Sequence, residues 1–196
     1  MDYLCDDCET KYHFKDLYVK AGEGGTPTTD NDSYYQNGTI PFIKIEDLSS
    51  KYIVKNKDYI SELGLSKSSA WLIPSNSVIY SNGATIGCVS INNYPVATKQ
   101  GILGIIPSKV VLTEYLYYYL QTTYFRKEIK KVTVRGTMDC AYLKDINSIS
   151  CFIPAISKQQ MVIHILSLID KKLLLERNVL LKLKEQKKYL LSKMFI

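Results

Sequence analysis

The rhythm of apolar and polar positions changes near residue 156. Beyond Pro154, apolar residues recur at alternating spacings of four and three: Val162, Leu166, Ile169 and Leu173, then Leu180, Leu183, Leu190 and Met194, with only Glu176 and Lys187 breaking the series. That period predicts one long helix with a coiled-coil seam. Pro154 stops what precedes it, and Ser157 with Gln160 three residues on makes a capping-box pattern. A helix over 157–196 would be roughly 60 Å long. Its own small domain cannot cover that length, so a partner helix from another subunit is expected, with these eight apolar residues as the dimer interface.

Residues 1–156 follow a different pattern, of short apolar runs between turn signals, which predicts mixed α and β structure. Thr39 to Ile45 reads as a strand entered from the Asn37-Gly38 turn. Ser77 to Tyr80 and Thr85 to Ile91 flank Ser81-Asn82-Gly83-Ala84, a predicted hairpin with Asn-Gly at its tip. Val96 to Thr98, Ile102 to Ile106 and Ser148 to Ile153 read as further strands. Helical spacing appears once, from Thr113 as candidate cap to about Lys131, with Leu116, Tyr119 and Leu120 inward. The expected fold class is α+β: a compact mixed domain over 1–156, a sheet or partial barrel with helical additions, then the long helix over 157–196.

Charge sharpens this division. The chain has 196 residues, 46% of them hydrophobic, with 25 Lys+Arg against 19 Asp+Glu for a net charge of +6. Nine basic and three acidic residues fall in 157–196, so the helix carries the whole excess and 1–156 is neutral. Apolar residues spread along the length exclude low-complexity disorder. The most apolar stretch, Met161 to Ile169, is short for a bilayer and contains His164, so no membrane is expected. The acidic opening, Met1 to Asp7, is unlike a secretory signal; the expectation is a cytoplasmic protein with five reduced cysteines.

Catalytic motifs are missing from the pattern. There is no G-x-x-x-x-G-K-[ST] phosphate loop, and Pro27 spoils any G-x-G-x-x-G reading of Gly22, Gly24 and Gly25. His13 and His164 are far apart, and nothing singles out a nucleophile. Cys5 and Cys8 with His13 imitate half a zinc site, but no second pair follows at finger-like spacing. No catalytic residue, metal or cofactor is therefore assigned. Binding signals are clearer: Arg126, Lys127, Lys130, Lys131 and Arg135 cluster, opposed only by Glu128, just after Tyr115, Tyr117, Tyr118, Tyr119 and Tyr124. Cations neutralise phosphates, while Thr, Asn, Gln and Tyr can address base edges. A solvated helix end with core tyrosines would give the same pattern.

Taken in order, a set of markers resembles one half of a specificity subunit of a type I restriction-modification system. They are Gly25-Thr26-Pro27-Thr28, Tyr34-Tyr35 with Gly38 to Phe42, Gly83-Ala84-Thr85-Ile86-Gly87, and Ala97-Thr98-Lys99-Gln100-Gly101. Gly136-Thr137, Leu143 to Ile146, Pro154 to Gln160 and the helix ending in Leu190 to Phe195 complete the series. The resemblance implies a DNA target-recognition domain followed by a long spacer helix that also docks modification subunits. Members of that family carry two such domains and two helices packed antiparallel; this sequence has one of each. It is expected either to pair with a copy of itself or another half-subunit, or to be a segment of a longer product. The implied partners are double-stranded DNA, a DNA methyltransferase (modification) subunit and a restriction endonuclease subunit. The implied DNA contacts are Thr26, Thr28, Asn82, Thr85, Lys99 and Gln100 from loops, with Arg126, Lys130, Lys131, Arg135 and Thr137 from the basic stretch. A pair related by a two-fold axis would read an inverted repeat with an uncontacted spacer. Two rival readings are a coiled-coil scaffold or adaptor without sequence-specific DNA binding, and an enzyme using Cys5, Cys8 or Cys140.

Overall fold

Alternation along the central strands decides the layering. In the strand Val78–Ser81, Val78 and Tyr80 join one apolar cluster and Ile79 the other; in Ile102–Pro107, Leu103 and Ile105 join the first and Ile102 the second. Side chains alternate across a strand, so a run apolar at every position belongs to a sheet covered on both faces. The structure, a computed structural model, describes residues 9–134, 136 and 139–194.

In chain order the strands are β1 (Thr10–His13), β2 (Tyr18–Glu23), β3 (Ile40–Ile43), β4 (Tyr52–Ile53), β5 (Asp58–Ile60), β6 (Val78–Ser81), β7 (Val89–Asn92), β8 (Ala97–Thr98), β9 (Ile102–Pro107) and β10 (Ser150–Ile153). The helices are α1 (Glu62–Ser66), α2 (Thr113–Tyr119), α3 (Thr123–Val132), α4 (Leu143–Ile146) and α5 (Ile156–Met194). A five-stranded mixed sheet runs β2-β9-β6-β7-β4; a three-stranded sheet runs β5-β3-β8, and β1 pairs antiparallel with β10. The fold is α+β, as expected.

The larger core cluster lies between the five-stranded sheet and α2 and α3. Phe125 is its hub, with ring centroids 5.7 Å from Phe14, 6.0 Å from Tyr119 and 6.1 Å from Tyr80. Leu116, Tyr119 and Leu120 are buried, as their spacing predicts. The helix they sit on is broken, however. Thr122 is extended (φ −62°, ψ 151°), its hydroxyl accepts from the Phe125 amide at 3.2 Å, and a second helix starts there. A threonine that caps the next segment cannot also continue the previous one. Thr113 is not the cap of α2 either; Leu112 holds that position.

The predicted hairpin is also corrected. β6 and β7 pair antiparallel, but they are joined by the long loop 82–88, and Thr85 to Gly87 are not strand. Asn82 and Gly83 do not form a turn tip, because their amides both donate to Gly101 O, at 3.0 and 3.2 Å. The left-handed positions are Ala84 (φ 54°) and Gly87 (φ 100°).

The chain divides into two compact units, Met1–Gln159 and Gln160–Ile196. α5 begins at Ile156, so Ser157 lies inside the first turn and does not cap it. Gln159, not Gln160, is the polar residue this turn uses: it is fully buried, its Oε1 accepts from Leu112 N at 2.9 Å, and its Nε2 donates to Val110 O and Pro154 O. From Ile169 onward the expected seam is exposed: Ile169, Leu173, Leu180, Leu183, Leu190 and Met194 all are, while Val162 and Leu166 are half-buried. Leu174, Leu175, Leu181 and Leu191 are exposed as well, so the apolar surface of the helix is wider than one seam.

Candidate nucleic-acid interface

Loops distant in sequence are drawn together around the turn between β8 and β9. Gly24 and Gly25 donate to Ile102 O and Thr98 O, at 2.8 and 3.0 Å. Gly24 makes this approach possible, since a Cβ there would lie 2.1 Å from the Thr98 carbonyl oxygen. The Gln100 amide donates to Thr26 Oγ1 at 3.4 Å, and the Gly101 amide to Glu23 Oε1 at 2.8 Å. Gly101 holds φ 84°, a conformation that favours glycine, and its carbonyl receives the Asn82 and Gly83 amides. Pro27 is buried, and its carbonyl accepts from the Tyr35 hydroxyl at 2.6 Å.

These bonds join three of the expected DNA-contacting loops into one platform, on which Thr26, Thr28, Thr85, Lys99 and Gln100 are all exposed. Asn82 is different. Its side chain is fully buried, and Nδ2 donates to Ala141 O at 3.1 Å, so it braces the loop from beneath and is not presented to a groove. Its Oδ1 has no hydrogen-bond partner among the described residues.

The platform is also tied to Asp139, whose carbonyl accepts from the Ala84 amide at 3.2 Å. A cleft of about 620 Å³ lies here, lined by Ala84, Ile86, Gly87 and Cys88 of the loop, by Arg126, Ile129 and Lys130 of α3, and by Tyr80, Thr133 and Asp139. Arg126 and Lys130 are exposed and one turn apart, so they share a face. Lys131 is exposed too, and its ammonium is 2.5 Å from Glu128 in a surface pair. Arg135 and Thr137 lie outside the described residues, as do Cys5 and Cys8. Asp139, Cys88 and Tyr80 carried no motif that would mark them; only the folding of loop 82–88 against α3 brings them together.

Burial dominates the electrostatics of this region. It pushes the Tyr80 phenol above its usual range, with the nearby Arg126 guanidinium pulling back in part. Burial and the Glu23 carboxylate raise the Cys140 thiol, and burial pushes Cys151 up to about 12. Thiols held protonated in this way are the opposite of activated nucleophiles. Among the described residues, no three His, Cys, Asp or Glu side chains gather as a metal site, and no helix is long and apolar enough to cross a membrane.

The family described as type I restriction modification DNA specificity domain matches residues 10–185. The MjaIX specificity subunit of Methanocaldococcus jannaschii, a type I restriction enzyme subunit, is 30% identical over 159 residues, which is 80% of this chain and 36% of that protein. The Escherichia coli EcoR124I/EcoR124II specificity subunit is 28% identical over 153 residues, 75% of this chain and 37% of its own. Among solved structures, the HsdS subunit from Thermoanaerobacter tengcongensis matches with a TM-score of 0.60 at 17% identity, covering 83% of this chain and 37% of that one. A chain from a structure of complex assembly in the type I R-M system matches with a TM-score of 0.63, also at 17% identity, over 83% of this chain and 38% of that one. The chain thus spans little more than a third of the length of these relatives.

Proposed function

Because the chain belongs to the type I restriction-modification DNA specificity domain family, we propose that it is a sequence-specific DNA-recognition subunit, or half of one. It carries no bond-making step of its own. The observation that supports this most is the convergence of exposed Thr26, Thr28, Thr85, Lys99 and Gln100 through the Gly101 turn, beside exposed Arg126 and Lys130. Neutral donors and acceptors on short loops suit base edges, and cations on an adjoining helix suit phosphates.

In this reading the helix pairs with that of a second copy, or of another half-subunit, and two domains address the halves of a split site. The pair directs a methyltransferase subunit and a restriction endonuclease subunit, which perform methyl transfer and cleavage. Six exposed apolar residues of the predicted seam, Ile169 to Met194, support the pairing, since this much apolar surface on one helix needs a cover. The test is to combine the chain with its cognate modification subunit and map methylated positions on DNA. Methylation confined to one bipartite sequence is expected. Methylation that is absent or sequence-blind overturns the reading and favours a scaffold.

A further inference from the structure

The cleft between loop 82–88 and α3 is preformed. Ser81 Oγ accepts from the Cys88 amide at 2.8 Å and donates to Thr85 O at 2.5 Å; the Gly87 amide returns to Ser81 O at 3.0 Å. With Asn82 and Gly83 tied to Gly101 and Ala84 tied to Asp139, the loop wall is held at both ends and in the middle. The opposite wall is a regular helix anchored by buried Phe125 and Ile129. A recess of about 620 Å³ is far larger than one phosphate and falls in the usual range for small-molecule sites.

Its chemistry is divided. Arg126 and Lys130 make no ion pair among the described residues, and the Asp139 carboxylate is not in ion-pair contact with either. The same recess is therefore lined by two cations without ion pairs among the described residues, by Asp139, and by the apolar Ile86 and Ile129. A duplex groove is met by convex loop tips; a concave site with a cationic side, an apolar middle and a hydrogen-bond acceptor matches one unstacked nucleotide.

We infer that this cleft receives a single nucleotide unit, its phosphate on Arg126 and Lys130, its base against Ile86 and Ile129, and an exocyclic amino group donating to Asp139. The nucleotide is either one residue of a DNA strand taken out of its stack or a free mononucleotide; only the first source rests on the DNA-reading proposal. The carboxylate favours amino-bearing bases, such as cytosine and adenine, over thymine, which has no exocyclic amino group.

Cys88 lines the cleft and is half-buried, which makes it a reporter of occupancy. In the full-length chain, the rate of Cys88 alkylation is followed by peptide mass spectrometry, with deoxycytidine, deoxyadenosine or thymidine monophosphate, inorganic phosphate, or a mixed-sequence single-stranded oligonucleotide added. Protection of at least fivefold by the cytosine or adenine ligand is expected, with less by thymidine monophosphate and none by phosphate at matched concentration. The exposed double variant Arg126→Gln/Lys130→Gln should lose the protection, and Asp139→Asn should narrow the gap between bases. Protection by mononucleotides assigns a free ligand, and protection by the oligonucleotide alone assigns a strand residue; either supports the inference. Equal protection by inorganic phosphate, or none by any probe, overturns it. Site-specific methylation without Cys88 protection sinks this inference alone, whereas protection without site-specific methylation sinks the DNA-reading proposal and leaves the cleft.

Discussion

Gln159 shows how much one side chain can carry. It is fully buried, and all its hydrogen-bonding groups are spent on main-chain atoms of Val110, Leu112 and Pro154, so the first turn of α5 is tied to the segment before α2. Gln159→Leu would keep the volume and strand one amide and two carbonyls; because orphaned buried groups cost about 1–3 kcal/mol each and some regain water, a loss of roughly 2–4 kcal/mol in urea unfolding is expected. Gln160→Leu, at an exposed position, should stay within about 0.5 kcal/mol of the parent. Cys151 gives a pH prediction. Its ordinary value is 9.0, and burial lifts the folded value to about 12. A group with a raised folded pKa contributes stability fully below its unfolded value and loses it as pH rises through the folded one. Unfolding free energy should therefore fall between pH 9 and 12, by at most about 1.4 kcal/mol per pH unit from this thiol. Cys151→Ala should flatten that fall in pH-dependent denaturation; an unchanged slope would rule the thiol out as its source.

Elements differ in how well local sequence specifies them, and the break between α2 and α3 shows why. Apolar spacing placed Leu116, Tyr119 and Leu120 inward but ran through Thr122, whose hydroxyl caps α3 at the Phe125 amide. Thr122→Ala should cost about 1 kcal/mol, the usual value of an N-cap, measured by thermal unfolding, and Thr122→Ser should restore it. Spacing reports which side of an element is buried, whereas a cap depends on one rotamer. The same limit applies to loop 82–88. Asn-Gly reads as a hairpin tip, yet Asn82 and Gly83 are claimed by Gly101 and Ala141, partners that chain order does not reveal. Long-range pairing also hid β1, whose partner β10 lies some 140 residues away. Strands whose burial is continuous, such as Val78–Ser81, were legible because their own composition requires two covered faces. In the candidate interface, exposed Thr26, Thr85, Lys99, Gln100, Arg126 and Lys130 were legible as residue types, but Asp139, Tyr80 and Cys88 became partners only through folding.

For the whole molecule, charge and exposed apolar surface are distributed unevenly between the two units. Residues 1–156 are neutral and the excess of +6 lies in 157–196; in the proposed reading the helix therefore adds general attraction to a polyanion, and the loops supply discrimination. A two-helix seam covers one stripe, but Leu173, Leu174 and Leu175 are consecutive and each about 60% exposed, so they point in directions roughly 100° apart and one partner helix cannot cover all three. A second covering surface is then required, which is the place for a modification subunit in the proposed assembly. Reversing Lys182, Lys184, Lys187 and Lys188 to Glu leaves the apolar residues intact and changes the helix charge by eight. If the helix supplies only assembly and non-specific attraction, the variant should bind DNA or its modification subunit at least tenfold more weakly, with a shallower dependence on salt. The sequence preference of the methylation that remains should be unchanged. A changed preference would place base discrimination on the helix, and unchanged affinity at low salt would remove the helix from both tasks.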